Sequence, residues 1–197
     1  MILIYFYGAR FMDENRENFP SERIKEDLKK LPERPGVYIM KDKNETIDRV
    51  ALAEQLFVQG YNCSQAVVAA FADLYGYTRE QALMLSAGMG GGIGRMRMTC
   101  GAVSGMAILA GMACGSTDAS DRDGKSNNYK VVQDLCNEFK QQYGSLICAD
   151  LLKIKRDAPL THIASPRTEE YYKTRPCVAQ VVTAARIFDQ WRKQNQS

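Results

Sequence analysis

The sequence predicts an all-α protein, organised as a single bundle of about six helices with a short irregular N-terminal appendage. The first observation is that apolar residues recur at three- and four-residue spacings from residue 46 onward. The second is a set of residues suited to cap or open helices directly before these apolar runs: Asn62, Thr78, Thr99, Ser145 and Pro176. The third is that a glycine follows most of the runs, as is common where helices end.

Composition and charge narrow the classes of function. Hydrophobic residues make up 45% of the 197-residue chain, which suffices for a packed core. The net charge is only +3 and the basic residues are scattered, so we expect no nucleic-acid partner. No apolar window has the length of a membrane span, and no secretion signal is present, so we expect a cytoplasmic protein without a membrane partner. Cysteines kept reduced there are more often metal ligands or redox thiols than structural bridges.

Residues 1–45 form the predicted appendage, which we expect to be poorly packed, and residues 46–197 form the predicted helical domain. Within residues 23–45, the run Pro35-Gly36-Val37-Tyr38-Ile39-Met40-Lys41-Asp42 reads as one strand. This run resembles the first strand of the GIY-YIG nuclease domain of UvrC-type excision subunits. The second tyrosine motif, the arginine-bearing helix and the metal-binding glutamate of that family are absent. We therefore expect a truncated remnant without nuclease activity.

The first three helices of the domain are marked by their ends. An apolar stripe from residue 46 stops at Gly60, and Asn62 is placed to cap a second helix that begins at Cys63. Thr78 followed by Gln81 forms a capping box, which opens a third helix.

The fourth helix is predicted to be capped by Thr99, with Cys100 as its first residue. Gly101 and Gly105 keep one side of this helix flat, so that another helix can approach closely, and the same flat side would suit a homodimer contact. A polar surface loop is predicted for residues 116–128 and a fifth helix for residues 129–143.

Two further cysteines lie near predicted helix starts. Ser145 is placed to cap a short helical turn in which Cys148 is the third residue. A linker over residues 153–173 leads to Pro176, a favourable first helical residue, which makes Cys177 the second residue of the last helix.

The four cysteines at helix starts are Cys63, Cys100, Cys148 and Cys177. Free N–H groups and the positive end of the helix dipole favour an anion there, so we expect each thiol to ionise more easily. A thiolate is both the nucleophile and the metal ligand. If the helix starts converge, the fold gathers four thiols at one point. Cys114 and Cys136 are instead interpreted as packed core residues.

The glycine run from residue 88 to residue 94 matches neither a dinucleotide-binding fingerprint nor a Walker loop. It predicts a tight turn whose backbone N–H groups donate to cysteine or cluster sulfur. The candidate cofactor-binding residues are Gly91, Gly92, Gly94, Arg95 and Gly101. We expect Arg95 to pair with thiolate charge.

Five features resemble a known family and occur in its order. They are Asn62-Cys63-Ser64-Gln65-Ala66-Val67, Gly90-Gly91-Gly92-Ile93-Gly94-Arg95, Cys100-Gly101-Ala102-Val103-Ser104-Gly105, and the single residues Cys148 and Cys177. Over residues 46–192 the chain resembles the C_GCAxxG_C_C family of redox-active proteins. The resemblance implies a helical domain whose four cysteines do redox work or hold an iron–sulfur cluster. It also implies an electron-transfer partner, whose identity is unknown.

Two redox mechanisms stay open on the sequence. In the first, which we favour slightly, four thiolates ligate an iron–sulfur cluster or another metal for electron transfer. In the second, two thiols cycle between dithiol and disulfide, and no metal is needed. A zinc ion or a cluster that only cross-links the helices, or a helical interaction domain with inert cysteines, are the rival non-catalytic interpretations.

Overall fold

The all-α prediction is confirmed. The computed structural model describes residues 47–155 and 157–195, and within them the chain forms eight α-helices. These are α1 (Arg49–Val58), α2 (Cys63–Ala69), α3 (Arg79–Ser86), α4 (Gly101–Cys114), α5 (Arg122–Tyr143), α6 (Cys148–Leu151), α7 (Glu169–Thr174) and α8 (Cys177–Asn195). Short 3-10 turns follow α2 and α3. The predicted appendage and its boundary at residues 45–46 lie outside the described residues.

The core lies between α2, α4 and α8, with α1 and α5 packed around them. Its largest fully buried side chains include Phe57, Phe71, Phe139 and Phe188. Phe71 and Phe188 meet edge to face with their ring centroids 5.2 Å apart, which joins the segment just after α2 to the middle of α8. Among the described residues, no helix combines the length and the apolar character needed to cross a bilayer.

Asn62 caps the start of α2 as the sequence predicts, and Gln65 completes a capping box that was not predicted. The Asn62 Oδ1 atom accepts hydrogen bonds from the backbone N–H of Ser64 at 3.1 Å and of Gln65 at 3.0 Å. The Gln65 side chain accepts in return from the Asn62 N–H at 3.1 Å. Both side-chain amides also donate across to α3 and the turn after it, to the carbonyls of Leu83 and Ala87. The first turn of α2 is therefore fixed to a neighbouring element.

Two helix starts differ from the prediction. Helix α4 begins at Gly101, and Cys100 itself is the N-cap residue. Thr99 does not cap it, because Thr99 forms an antiparallel bridge with Ile147. Helix α5 begins at Arg122, since the Asp121 side chain accepts a hydrogen bond from the backbone N–H of Gly124 at 2.8 Å. Much of the stretch 116–128, predicted as a loop, is thus the first part of α5.

The last two cysteine-bearing helices are shifted slightly. Cys148 is the first residue of α6 rather than the third. The Ser145 hydroxyl accepts from the Ile147 N–H at 3.0 Å and donates to Asp150 at 2.8 Å, so it braces the turn before α6. Cys177 is the first residue of α8, and the predicted linker contains the short helix α7.

The flat side of α4 is buried against α2 within the chain. A Cβ atom at Gly105 would lie 2.9 Å from the Cβ of Val67, and one at Gly101 would lie 3.2 Å from the Cβ of Cys63. Such distances leave no room for a methyl group, so the two helices approach as closely as their backbones allow. The side that would suit a dimer contact is therefore occupied by α2.

We expect Gly105→Ala to lower the free energy of unfolding by about 1–3 kcal/mol, because the new methyl group must push α4 away from α2. The matched control is Gly111→Ala in the same helix, where an added Cβ meets nothing within 4 Å. That change should raise stability by about 0.5–1 kcal/mol, since alanine is the better helix former. Urea unfolding followed by circular dichroism measures both, and effects of the same sign would contradict the packing described.

Candidate functional site

The structure brings the four cysteines of the sequence motif together. Cys63, Cys148 and Cys177 are the first residues of α2, α6 and α8, and Cys100 is the N-cap of α4. Each of the four sulfurs interacts electrostatically with the other three. All of them are free thiols. Four separate helix starts therefore meet around one group of sulfur atoms, which we name the cysteine site.

Within the cysteine site, Cys63 and Cys177 are in direct contact. The two thiols share a hydrogen bond, and this bond is the largest influence on the pKa of both. It lowers the pKa of Cys177 to about 7, whereas the pKa of Cys63 rises well above its usual value. One proton is thus shared unequally, with Cys63 as the donor and the Cys177 thiolate as the acceptor.

Three arginines add to the stabilisation of the Cys177 thiolate. After the bond from Cys63, and against the opposing effect of burial, the charges of Arg175, Arg167 and Arg97 lower the pKa of Cys177 further. Arg175 lies two residues before this cysteine, and Arg167 lies just before α7. The most acidic thiol of the site is therefore the one with the most cationic surroundings.

Arg97, rather than Arg95, is the arginine that contacts a cysteine. The Arg97 Nη1 atom lies 3.9 Å from the Cys148 sulfur and donates to it. Burial raises the pKa of Cys148, and the hydrogen bond and charge of Arg97 oppose this rise. Arg95 donates instead to the Thr161 carbonyl and the Ser165 hydroxyl, each at 3.1 Å. The predicted pairing of Arg95 with a thiolate is therefore not a hydrogen bond: its guanidinium is directed to the loop before α7, and Cys148 acts on it through charge alone.

Cys100 is the most deeply buried of the four cysteines, with 3% of its surface exposed. Burial raises the pKa of Cys100 to about 12, although the backbone N–H groups of Ala102 and Val103 favour its thiolate. Its thiol donates to the Oε1 atom of Gln180 across 3.9 Å. The expectation that all four thiols ionise more easily is thus wrong for every one but Cys177. The hydrogen bond with Cys177, followed by burial, raises the pKa of Cys63, and burial raises the pKa values of Cys100 and Cys148.

The glycine run forms a left-handed turn. Residues 91–95 all have positive φ, between 55° and 74°, and among them Ile93 and Arg95 are not glycines. A β-branched side chain in this region is a genuine outlier. The turn reverses the chain so that the Met98 carbonyl accepts a hydrogen bond from the Cys148 N–H at 2.6 Å. It thereby joins the segment before α4 to the start of α6.

Two of the candidate cofactor-binding glycines touch cysteines directly. A Cβ atom at Gly92 would lie 2.7 Å from the Cβ of Cys148, and Gly101 makes the similar approach to Cys63 described above. Gly91 faces the Arg95 side chain, and Gly94 faces open space. In the structure, Gly92 and Gly101 therefore serve close packing on the cysteine-bearing helices.

Several polar atoms near the cysteine site are buried without a partner in the described structure. They are Ser64 Oγ, Gln180 Nε2 and Arg167 Nη1. Ser64 follows Cys63 in the chain, and Gln180 accepts from Cys100 through its other amide atom. Buried donors without acceptors are rare in folded proteins. The site therefore offers hydrogen-bond donors beyond those that the thiols use.

A cleft of about 470 Å³ opens beside Arg97. Its walls are mainly apolar, and its lining includes Met96, Met98, Ile147 and Leu160. Each of these four side chains is at least 39% exposed, which is unusual for such large apolar groups in one place. Thr161, which accepts from Arg95, lies at the same cleft.

Four thiols are a donor set that suits zinc or an iron–sulfur cluster. In the described structure, however, no three side chains among His, Cys, Asp and Glu are positioned to hold a metal ion. The four thiols of the cysteine site therefore converge without forming such a group as the described residues stand.

Sequence reasoning missed several residues of the site. Arg175 and Gln180 lie two residues before and three residues after Cys177, so their closeness in sequence was a signal. Gln180 is also a polar residue on the apolar side of the last helix and is 2% exposed. Arg167 carried no signal, because its contacts depend on how the segment before α7 folds back onto α1.

The comparisons with known proteins agree with the motif. The model of the family described as "Putative redox-active protein (C_GCAxxG_C_C)" matches residues 61–191. No curated protein and no solved structure matches the chain. The resemblance of residues 23–45 to a UvrC-type domain has no support from any comparison. Since the family model covers well over half of the sequence and includes all four cysteines, the chain belongs to the C_GCAxxG_C_C family of redox-active proteins.

Proposed function

We propose that the protein is a thiol redox protein in which Cys63 and Cys177 cycle between dithiol and disulfide. The observation that carries this proposal is their direct contact, in which the Cys63 thiol donates to the Cys177 sulfur. Two sulfurs in hydrogen-bond contact need only a small movement to form a disulfide. A pKa of about 7 at Cys177 provides a thiolate at neutral pH, and thiolates attack disulfides most effectively when the pKa is near the ambient pH.

In the proposed reaction, the Cys177 thiolate attacks one sulfur of a substrate disulfide. The substrate S–S bond breaks, a mixed disulfide forms at Cys177, and the first thiolate leaves. The Cys63 sulfur then attacks Cys177, its proton passes to the second leaving thiolate, and an intramolecular disulfide results. Two electrons have moved from the pair to the substrate. The reverse exchange with a reductant restores the dithiol, and this is the role we assign to the expected electron-transfer partner.

The residues around the two sulfurs make Cys177 the attacking thiolate and keep Cys63 protonated. Arg175, Arg167 and Arg97 stabilise the negative charge on Cys177, and this thiol opens a 19-residue helix whose N-terminal N–H groups add to the effect. Cys63 is also the first residue of a helix, but its hydrogen bond with Cys177 and its burial raise its pKa, so it keeps its proton until the second step. Cys100, with a pKa of about 12, is not suited to be the attacking group.

The first test is to treat the reduced protein with a stoichiometric disulfide and to locate the new bond by mass spectrometry. We expect a Cys63–Cys177 disulfide in the wild type. Cys63→Ser should stop at the mixed disulfide on Cys177, and Cys177→Ser should form neither product. Cys136→Ser, which changes a half-buried thiol of α5, is the matched control and should behave as the wild type. A disulfide between any other two cysteines would contradict the proposal.

The second prediction concerns pH. Only the thiolate is alkylated, so the rate of iodoacetamide modification at Cys177 should rise with pH through a midpoint near 7. Because Arg175 lowers the pKa of this thiol, Arg175→Gln should move the midpoint upward. Arg122→Gln, at the exposed start of α5, is the control and should leave it in place. A midpoint that is the same in all three proteins would show that Arg175 does not stabilise the thiolate.

A second candidate is ligation of an iron–sulfur cluster or zinc by all four cysteines. It is supported by the mutual interaction of the four sulfurs, two of which the dithiol reaction does not use. A cluster would supply one-electron transfer, and zinc a structural cross-link.

Cys100→Ser separates the two candidates. If Cys63 and Cys177 are the redox pair, the Cys100→Ser variant should still form the Cys63–Cys177 disulfide. If the four cysteines are ligands, the wild type purified without oxygen should contain stoichiometric iron, with a broad visible absorption, or zinc, and Cys100→Ser should lose it. Metal content and disulfide mapping on both proteins decide the question. If neither metal nor reversible oxidation is found, the protein is a helical interaction module.

A further inference from the structure

Four arginines surround the cysteine site and come from two separate parts of the chain. They are Arg95, Arg97, Arg167 and Arg175, which we name the arginine cluster. The first two lie in and after the left-handed turn, and the other two flank α7. Three members of the cluster act on Cys177, and both Arg97 and Arg175 act on Cys148. The basic residues are scattered along the sequence, so this concentration of positive charge arises only in the fold.

No member of the arginine cluster forms an ion pair with a carboxylate among the described residues; the ion pairs there involve other cations. Within the cluster, the positive charges of Arg97 and Arg175 repel that of Arg95. Burial, followed by the charges of Arg97 and Arg175, lowers the pKa of the Arg95 guanidinium. Like charges held this close repel each other, and an anion between them would remove the repulsion.

Arg167 is held mainly by aromatic rings and by one backbone carbonyl. Its guanidinium carbon lies 4.7 Å from the centre of the Phe57 ring and 4.5 Å from the centre of the Tyr171 ring. The Nη2 atom donates to the Tyr61 carbonyl at 3.2 Å, whereas the Nη1 atom is buried without a partner. Arg175 stacks on the same Tyr171 ring at 4.8 Å. Both guanidinium groups are thus fixed by aromatic contacts rather than by carboxylates.

The cleft beside Arg97 gives room for the rest of a small molecule. Its mainly apolar walls contain one further cation, Lys155, and one carboxylate, Asp150. The Asp150 carboxylate accepts from the Ser145 hydroxyl at 2.8 Å. A ligand with a short apolar chain and an anionic end therefore matches the surface next to the cysteine site.

We propose that the redox substrate of the cysteine pair is a low-molecular-weight disulfide that carries carboxylates, bound through the arginine cluster. The inference rests on the proposed dithiol function. The carboxylates of the substrate lie against the guanidinium groups, which places its S–S bond near the Cys177 thiolate. The chemistry is the two-step exchange given above: two substrate thiols and one protein disulfide form, with both electrons coming from Cys63 and Cys177.

The test compares three symmetrical disulfides that differ in charge: 3,3′-dithiodipropionate, bis(2-hydroxyethyl) disulfide and cystamine. Single-turnover rates with the reduced full-length protein are measured for each, and each is divided by the rate of the same disulfide with dithiothreitol. This division removes differences in leaving-group reactivity. We expect the corrected rate to be about tenfold higher for the anionic disulfide than for the neutral one, and lowest for the cationic one. The anionic preference should shrink in high salt.

Variants show whether the arginine cluster causes the preference. Arg95→Gln should reduce the ratio of anionic to neutral rates, whereas Arg95→Lys should preserve most of it. Arg122→Gln has the same change in charge away from the site and should alter no rate. If the neutral disulfide reacts as fast as the anionic one after correction, the inference is overturned while the dithiol function stands. If no disulfide oxidises the pair, the dithiol function itself fails.

Discussion

The cysteine site depends on two places where a glycine backbone touches a cysteine-bearing helix. Gly92 lies so close to Cys148 that an added Cβ would force a shift, and Gly101 lies so close to Cys63 that an added Cβ would make its neighbours give by a few tenths of an ångström. Any larger residue would push α2 away from α4, or α6 away from the left-handed turn. These two contacts bring Cys63 close to α4 and Cys148 close to the left-handed turn. Packing thus explains why the motif has glycine at these two positions.

Burial and charge act in opposite directions on the sulfurs, and their balance differentiates the thiols. Cys100 is buried beside a neutral amide, so burial dominates and its thiol stays protonated. Cys177 is almost as buried, with 6% exposed, but it receives a hydrogen bond and the charge of three arginines. The helix dipole is common to both positions and cannot explain the contrast. The differences come from neighbours that are distant in sequence.

Features that depend on residues close together in the chain could be predicted from the sequence, and features that depend on distant neighbours could not. The helices, the Asn62 cap and the Thr78–Gln81 capping box could be predicted, because they depend on residues within one turn of each other. The cysteine positions were predicted to within about two residues of the helix starts, which follows from the same local signals. The start of α5 was missed, since the Asp121 cap lies in a stretch whose polarity is equally typical of a loop. The choice of Arg97 over Arg95 depends on backbone direction in a left-handed turn, which residue type does not reveal.

The left-handed turn and the residues just after it hold non-glycine residues at strained, positive φ values. Ile93, Arg95 and Arg97 hold positive φ values that glycine would hold without strain, at a cost of about 1–3 kcal/mol each. Replacing either arginine by glycine would relieve the backbone and remove a cation from the cysteine site. The strain persists because the turn is held at both ends, by the Gly94-to-Gly88 hydrogen bond at 2.8 Å and by the bonds from Cys148 and Ala149 to the segment before α4. Non-glycine residues at left-handed positions therefore point to a demand on their side chains. For Arg97 this is the hydrogen bond to Cys148, and for Arg95 it is the pair of hydrogen bonds to the loop before α7.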